Sequence, residues 1–196
     1  MKEINGRSEL ELIDLLEKEF NNLDNKNQTK IFRSFLLDNQ NDIQSKYRLI
    51  LKLRLLIENL IAKPESNVNK DILNEKIKAY VKSLFEIIQE ENIDLMLKSD
   101  LIFSLGMISR TQYRQKFETN KDYIFKKLKE RFQKEKVDKI QNTIASIFWY
   151  LTESNFPAYL IPDLKNLYEK SNGVAKSLLK AALNSLGINV NNHKNE

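Results

Sequence analysis

The sequence predicts an all-α fold, and three features lead to that prediction. Apolar residues recur at spacings of three and four along the chain, which is the period of one face of a helix. Sustained alternation of apolar and polar residues, the pattern of a half-buried strand, is missing. The 196 residues include only four glycines and three prolines, and these fall mostly at breaks in the helical pattern.

The N-terminal third contains three predicted helices and the clearest linker. The first is predicted over 8–22 and opens with a capping box, in which Ser8 accepts the amide of Glu11 and Glu11 reaches back. Its apolar face consists of Leu12, Leu15, Leu16, Phe20 and Leu23. A short second helix is predicted over 29–37 and a buried third helix over 46–62. Pro64 ends the third helix and makes 63–69 a weak break in the domain.

Six further helices are predicted in the rest of the chain. Asn69 caps a long helix that ends near Gln89, and the others span 94–109, 121–134, 138–153, 158–170 and 173–187. The polar residues 188–196 are predicted to form a disordered tail. Because 41% of the residues are hydrophobic and 30% are charged, a globular composition, 1–187 is predicted to be one all-helical domain.

The ends of alternate predicted helices are similar to one another. The segments LLIENLIA, DLIFSLGM, ASIFWYLT and AALNSLGI carry equivalent leucines at Leu60, Leu105, Leu151 and Leu186. These leucines lie 45, 46 and 35 residues apart, which suits a repeating unit of two helices. The pattern therefore indicates about four helical hairpins.

Residues 156–188, FPAYLIPDLKNLYEKSNGVAKSLLKAALNSLGI, carry a family resemblance. A first helix with an early proline, a short turn, and a second helix rich in Ala and Leu that ends in Leu-Gly resemble a HEAT-like (armadillo-type) α-helical repeat. Segment 100–106 is similar to the second half of this unit, and the N-terminal sixty residues match it poorly. The resemblance implies a right-handed α-solenoid whose second helices line a concave surface that binds proteins or nucleic acids. The alternative is an irregular helical bundle in which AALNSLG arises by chance.

Most catalytic chemistries lack an essential residue type in this chain. There is no cysteine, which excludes disulfides, thiolate nucleophiles and sulfur-ligated zinc. The single histidine, His193, lies in the polar tail, and no glycine-rich phosphate-binding motif occurs. Glu90, Glu91 and Asp94 are the nearest carboxylates for acid–base chemistry, but consecutive helical positions do not face each other. We therefore expect no enzyme activity, no cofactor, no metal site and no small-molecule substrate.

The sequence also shows no pattern typical of a signal peptide or of a membrane-spanning helix. The N-terminal residues MKEINGRSELEL contain acids where a signal peptide has an apolar run. The most apolar stretch, 47–62, is short for a membrane span and carries Lys52 and Arg54 in its middle. We expect a cytoplasmic protein with no membrane contact.

Positive charge is concentrated between residues 110 and 139, which contain eleven Lys or Arg and five Asp or Glu. This segment predicts an alternative function, nucleic-acid binding through phosphate contacts. The candidate residues are Arg110, Arg114, Lys126, Lys127, Arg131 and Lys134, and the aromatic residues Tyr113, Phe117 and Tyr123 are candidates either for base stacking or for the core. The competing interpretation is a solvated amphipathic helix on which Glu130 pairs with Lys126 and Lys134 at four-residue spacing.

Aligning the four leucines places a second set of residues in register. Two positions before them stand Glu58, Phe103, Trp149 and Asn184, and six positions before them stand Arg54, Ser99, Ala145 and Lys180. At about 100° per residue, Trp149 lies nearly opposite the apolar stripe of its own helix, and Phe103 has the same relation to its helix. The sequence thus predicts a surface for a protein partner formed by Arg54, Glu58, Phe103, Trp149, Lys180 and Asn184. The alternative is that a neighbouring segment covers both aromatic side chains.

Overall fold

The computed structural model describes Glu11, Asp14 and residues 28–38, 41–62, 70–90, 93–115 and 121–190. Within these ranges no β-strand occurs, and the all-α prediction is confirmed. The α-helices are α1 (Gln28–Leu37), α2 (Ile43–Ala62), α3 (Lys70–Gln89), α4 (Leu95–Arg114), α5 (Lys121–Lys134), α6 (Asp138–Thr152), α7 (Ile161–Lys170) and α8 (Gly173–Ser185). A 3-10 turn at Ala158–Leu160 leads directly into α7.

Several sequence predictions fall outside the described residues. Glu11 and Asp14 are helical and exposed, but the Ser8 end of the predicted capping box, the apolar face of the first predicted helix, the break at 63–69 and residues 191–196 are not described. The chain separates into two compact units, one up to Ile108 and one from Ser109 onward, so the boundary falls within α4. One domain over 1–187 stays a prediction.

The first unit is built around apolar faces of α1 to α4. Its fully buried side chains include Leu49, Ile57, Ile77, Val81, Leu101 and Leu105. Helix α1 packs against α3, where the rings of Phe32 and Tyr80 meet edge to face at 6.1 Å between centroids. At the rim of this contact the Arg33 guanidinium lies 2.5 Å from Glu90 and 3.4 Å from Glu86. Ion pairs of this exposure contribute little to stability.

An aspartate side chain binds backbone amides at the N-terminal end of two helices of the first unit. Asp94 caps α4, because its Oδ1 accepts the amides of Met96 at 2.8 Å and Leu97 at 2.9 Å. Asp42 accepts the amide of Ser45 at 3.0 Å before α2, and this bond holds the pKa of the Asp42 carboxyl below its ordinary value. Lys46 is buried on α2; burial lowers the pKa of its ammonium group, and Asp94 is one of the carboxylates that oppose that shift.

The second unit has an aromatic core. Phe125 of α5 lies 5.0 Å from Phe148 of α6 and 5.6 Å from Phe156, measured between ring centroids. Helix α6 packs along α8, α7 packs on α8, and Lys129 of α5 forms a 2.9 Å ion pair with Asp163 of α7. The most extensive contact thus joins α6 and α8, which are separated in the chain by α7.

Gly187 ends α8 in the way that its Leu-Gly sequence suggests. Its φ of 74° lies in the left-handed region, where a side chain is disfavoured. The amide of Gly187 donates to the carbonyl of Asn184 at 2.9 Å, and the amide of Ile188 donates to that of Leu183 at 3.0 Å. These two bonds form a Schellman motif and satisfy carbonyls that the helix end leaves open.

Helix α4 is longer than the sequence predicts. We expected it to end at residue 109, but it continues to Arg114 because Ser109, Gln112 and Tyr113 are buried. Tyr113 packs edge to face on Phe156 at 6.1 Å between ring centroids. Tertiary packing therefore extends a helix whose local sequence reads as polar.

Candidate partner-binding surfaces

In the first unit the structure brings together three residues of the predicted partner surface. The guanidinium carbon of Arg54, on α2, lies 5.9 Å from the centroid of the Phe103 ring on α4. The Nε of Arg54 lies 3.8 Å from Oε1 of Glu58, one turn further along α2. The side chains of Arg54 and Glu58 are 19% and 20% exposed, and Phe103 is half-buried. We call Arg54, Glu58 and Phe103 the first cluster.

In the second unit, Trp149 stacks on its neighbour in the chain. The rings of Trp149 and Tyr150 are 5.6 Å apart at an interplanar angle of 16°, and both side chains are half-buried. The guanidinium carbon of Arg110 lies 5.6 Å from the Tyr150 centroid, and its Nη2 lies 3.5 Å from Oε2 of Glu153. We call Trp149, Tyr150, Arg110 and Glu153 the second cluster.

Ser154 fixes the arginine of the second cluster. Its hydroxyl is buried and accepts from Nε of Arg110 at 3.3 Å and from Nε of Arg114 at 3.2 Å. Bonds from charged donors are stronger than neutral ones, so both guanidinium groups are directed to the C-terminal end of α6. Tyr150, Glu153 and Ser154 were not among the predicted surface residues. The signal that could have indicated them was the one-turn spacing of Arg110 and Arg114, which puts both on one face of α4.

The two predicted residues on α8 lie one turn apart. Lys180 is half-buried and Asn184 is exposed. The next residue, Ser185, makes a 2.6 Å hydroxyl contact with Thr152, so the C-terminal ends of α6 and α8 adjoin. Two residues of the same register, Ser99 and Ala145, are buried, so neither contributes to a surface.

Three of the six residues of the predicted basic patch, Arg110, Lys127 and Arg131, form ion pairs within the second unit. Arg110 and Arg114 bond to Ser154 as described, Lys127 lies 2.9 Å from Glu130, and Arg131 bonds to Glu135 through Nε at 2.9 Å and Nη2 at 2.5 Å. Glu130 pairs with Lys127 at a spacing of three rather than with the residues four away. Lys126 and Lys134 are exposed on the outer face of α5.

A buried tyrosine forms a second polar feature of this unit. Burial, followed by the negative charge of Asp122, raises the pKa of Tyr113 far above its ordinary value. The hydroxyl of Tyr159 donates to the same carboxylate, and this bond raises the pKa of Tyr159 to about 12. Both phenols stay protonated at neutral pH, and that of Tyr159 donates to Asp122. Tyr113 therefore belongs to the core and does not stack bases; Tyr123 is 37% exposed, and Phe117 lies outside the described residues.

The carboxylates considered for catalysis have structural roles. Glu90 pairs with Arg33 and Asp94 caps α4, whereas Glu91 lies outside the described residues. Among the residues that the structure describes, no group of three or more His, Asp or Glu side chains is placed to hold a metal ion. In the same part of the chain, no helix combines the length and apolarity needed to cross a bilayer. Comparison of the chain with protein-family models, with curated proteins and with solved structures gives no match.

Proposed function

We propose that this chain is a non-catalytic helical-repeat interaction module that binds a protein partner. The observation that carries the proposal is the second cluster, in which a stacked Trp149–Tyr150 pair is held by a cation–π contact from Arg110. Trp, Tyr and Arg are the residue types that most often dominate interface energy. The three side chains already contact one another within the unit, which lowers the rotamer entropy that is lost when a partner binds them.

The finer architecture in this proposal is a right-handed α-solenoid of about four HEAT-like hairpins. Two observations support it. The pair α7–α8 ends in the glycine that the family resemblance expects, with its two Schellman bonds. Helix α6 packs along α8, which is the contact made by second helices of successive hairpins in a repeat array. The candidate partner-binding residues are the first cluster in the first unit and, in the second unit, the second cluster with Lys180 and Asn184.

The test compares partner capture by the full-length chain and by Trp149→Ala. Cell extract is passed over each immobilised protein, and bound polypeptides are quantified by mass spectrometry. Loss of an interface tryptophan weakens binding by about 2 kcal/mol or more, which corresponds to at least about thirtyfold. The matched control is Tyr123→Ala, which removes an exposed aromatic ring on α5. The proposal fails if the same polypeptides bind both variants equally.

A fluorescence measurement reports on the same side chain in the free protein. Trp149 is the only tryptophan in the chain, so intrinsic emission reports on it alone. Because Trp149 is half-buried, we expect quenching by acrylamide that is intermediate between a solvated and a core indole, and a further decrease when a partner binds. Full protection in the free protein would place the ring in the core and remove it from the surface.

Nucleic-acid binding is the second candidate function, and the exposed Lys126 and Lys134 favour it. They lie on the outer face of α5, where Lys127 is 39% exposed and close to Glu130. The test is fluorescence anisotropy with labelled single- and double-stranded DNA and RNA at low salt, using the wild type and the double variant K126E/K134E. Binding that the double variant abolishes supports this function, and absence of binding to all four probes rejects it.

A further inference from the structure

Asn172 and Gly173 form an Asn-Gly pair in the connection between α7 and α8. Helix α7 ends at Lys170 and α8 begins at Gly173, so Ser171 and Asn172 make up the whole link. The backbone of Asn172 is extended, with φ −135° and ψ 178°, and Gly173 has a φ of 54°, in the left-handed region that favours glycine. Both residues of the pair are exposed to solvent.

The two chemical groups of this pair are not held by the start of α8. An asparagine before a helix commonly accepts an amide of the first turn, but in the described part of the chain Asn172 makes no such capping bond. The amide of Gly173 is the first of the four donors that a helix leaves without an intrahelical acceptor. A Cβ built on Gly173 would meet no atom within 4 Å, so the space beside its nitrogen is open.

We propose that Asn172 is a site of spontaneous deamidation through a cyclic imide, a modification that is independent of the proposed function. The backbone nitrogen of Gly173 loses its proton and attacks Cγ of Asn172. The N–Cγ bond forms, and the side-chain nitrogen takes up a proton and leaves as ammonia. Glycine has no Cβ to obstruct this attack. The positive end of the α8 dipole favours both the loss of the proton and the oxyanion of the tetrahedral intermediate.

Water then opens the imide at either of its two carbonyl carbons. If the N–Cγ bond breaks, position 172 becomes an aspartate with an ordinary backbone. If the bond between the Gly173 nitrogen and the main-chain carbonyl carbon breaks, the result is an isoaspartyl linkage, in which the backbone runs through the former side chain and is longer by a methylene group. In both cases the net reaction consumes water, releases ammonia and adds a negative charge, with no oxidant or reductant.

The two products act in opposite directions on α8. A carboxylate on an ordinary backbone faces the positive end of the helix dipole and accepts amides of the first turn, so it stabilises the helix start. The isoaspartyl form lengthens a link of only two residues and displaces the carbonyl of Asn172, which accepts the amide of Lys176 at 3.1 Å. Because Ala175 in the first turn is buried, this displacement disturbs the packing of α8.

The experiment incubates the full-length protein at mildly alkaline pH in water labelled with heavy oxygen. Trypsin digestion in ordinary water then releases residues 171–176, because Lys170 and Lys176 flank the pair. The label marks only the conversion that takes place before digestion. We expect the mass spectrum of this peptide to show the side-chain nitrogen replaced by labelled oxygen, and chromatography to separate an aspartyl from an isoaspartyl product. The other Asn-Gly pair of the sequence, Asn5–Gly6, is outside the described residues and is monitored in the same digest.

Two controls test the mechanism. Asn172→Gln should convert at least about tenfold more slowly, because the longer side chain no longer places its amide carbon for closure of a five-membered ring. Asn184 is exposed on α8 but is followed by Ser185, whose Cβ obstructs the attack, and should also convert at least about tenfold more slowly. Absence of conversion in residues 171–176 overturns the proposal, whether or not Asn5 converts. An aspartyl product without the isoaspartyl one indicates direct hydrolysis and also overturns it.

Thermal unfolding followed by circular dichroism tests the predicted effect on α8. Asn172→Asp has the structure of the aspartyl product and should raise the melting temperature by about 2 °C. The isoaspartyl protein, purified from the incubated sample, should melt below the unmodified protein. An isoaspartyl form that melts at the same temperature as the unmodified protein, or above it, overturns the inference that the length of the link between α7 and α8 controls the packing of α8.

Discussion

Replacing Trp149 with alanine should lower the free energy of unfolding by about 2 kcal/mol. The buried part of this indole is on the order of 150 Å², which at about 25 cal/mol per Å² is worth about 4 kcal/mol as an upper value. Residual burial in the unfolded chain lowers this to about 2.5 kcal/mol. The higher helix propensity of alanine returns about 0.5 kcal/mol. This value lies between the cost of about 1 kcal/mol expected for an exposed side chain and the 3 to 5 kcal/mol typical of a core aromatic, as in Phe→Ala series.

The neighbouring Phe148 provides the matched control. It is fully buried, and its ring lies 5.0 Å from that of Phe125 and 6.4 Å from that of Phe132. Phe148→Ala therefore leaves a cavity lined by two other rings, and we expect a loss of about 4 kcal/mol. The two substitutions remove adjacent aromatic side chains from the same helix, so the difference of about 2 kcal/mol reports their burial rather than any effect on α6 itself.

The assay is urea unfolding followed by far-ultraviolet circular dichroism, because Trp149→Ala removes the fluorescent reporter. Each variant should shift the midpoint and leave the slope with urea unchanged. Equal losses for Trp149→Ala and Phe148→Ala would show that the indole is a core side chain and would refute the surface assignment. A loss below about 0.5 kcal/mol for Trp149→Ala would show that the stack on Tyr150 contributes nothing to folding.

Three smaller changes test other parts of the second unit. Gly187→Ala should destabilise by about 1 kcal/mol in urea unfolding, because the left-handed φ disfavours a Cβ that has open space around it. Ser154→Ala should cost about 2 kcal/mol, since two guanidinium groups lose their acceptor, whereas Ser177→Ala on the surface of α8 should stay within about 0.5 kcal/mol. Burial alone would raise the pKa of Glu135, but hydrogen bonds from backbone amides and Arg131 lower that pKa overall. The stability that Glu135 contributes is therefore present at neutral pH. It is lost as the pH falls below 4.5, the ordinary pKa of a glutamate. Glu135→Gln should flatten that part of an acid-unfolding curve.

Helix positions were largely predictable from the sequence. Five of the predicted helices, over 29–37, 69–89, 121–134, 138–153 and 173–187, agree with the structure to within two residues at each described end. The reason is that the spacing of apolar residues indicates which side of a helix is buried, and a glycine often marks the residue at which the helix ends. The largest error was the end of α4, where residues 110–114 read as polar although Tyr113 reaches the core.

The candidate surface was predictable only in part. Periodicity gives the direction of a side chain relative to its own helix, which placed Trp149 away from the core stripe. It does not show which residues of other helices approach, and so it missed the contact of Arg110 with Tyr150 and Glu153. The same limit applies to Arg54, whose position over Phe103 depends on the packing of α2 against α4.

The hydrogen bonds that the arginines already make favour protein binding over nucleic-acid binding. Six phosphate contacts would make the affinity fall about a thousandfold between 50 and 200 mM salt, and two contacts would make it fall only about tenfold. Arg110, Arg114, Lys127 and Arg131 already bond to acceptors in the chain, and each would have to exchange those bonds for a phosphate. Of the six candidate residues, Lys126 and Lys134 alone would release counterions without first exchanging such a bond. Their two charges are too few for tight binding at physiological salt, whereas a protein partner can use the ordered rings of Trp149 and Tyr150 without breaking the bonds that hold Arg110.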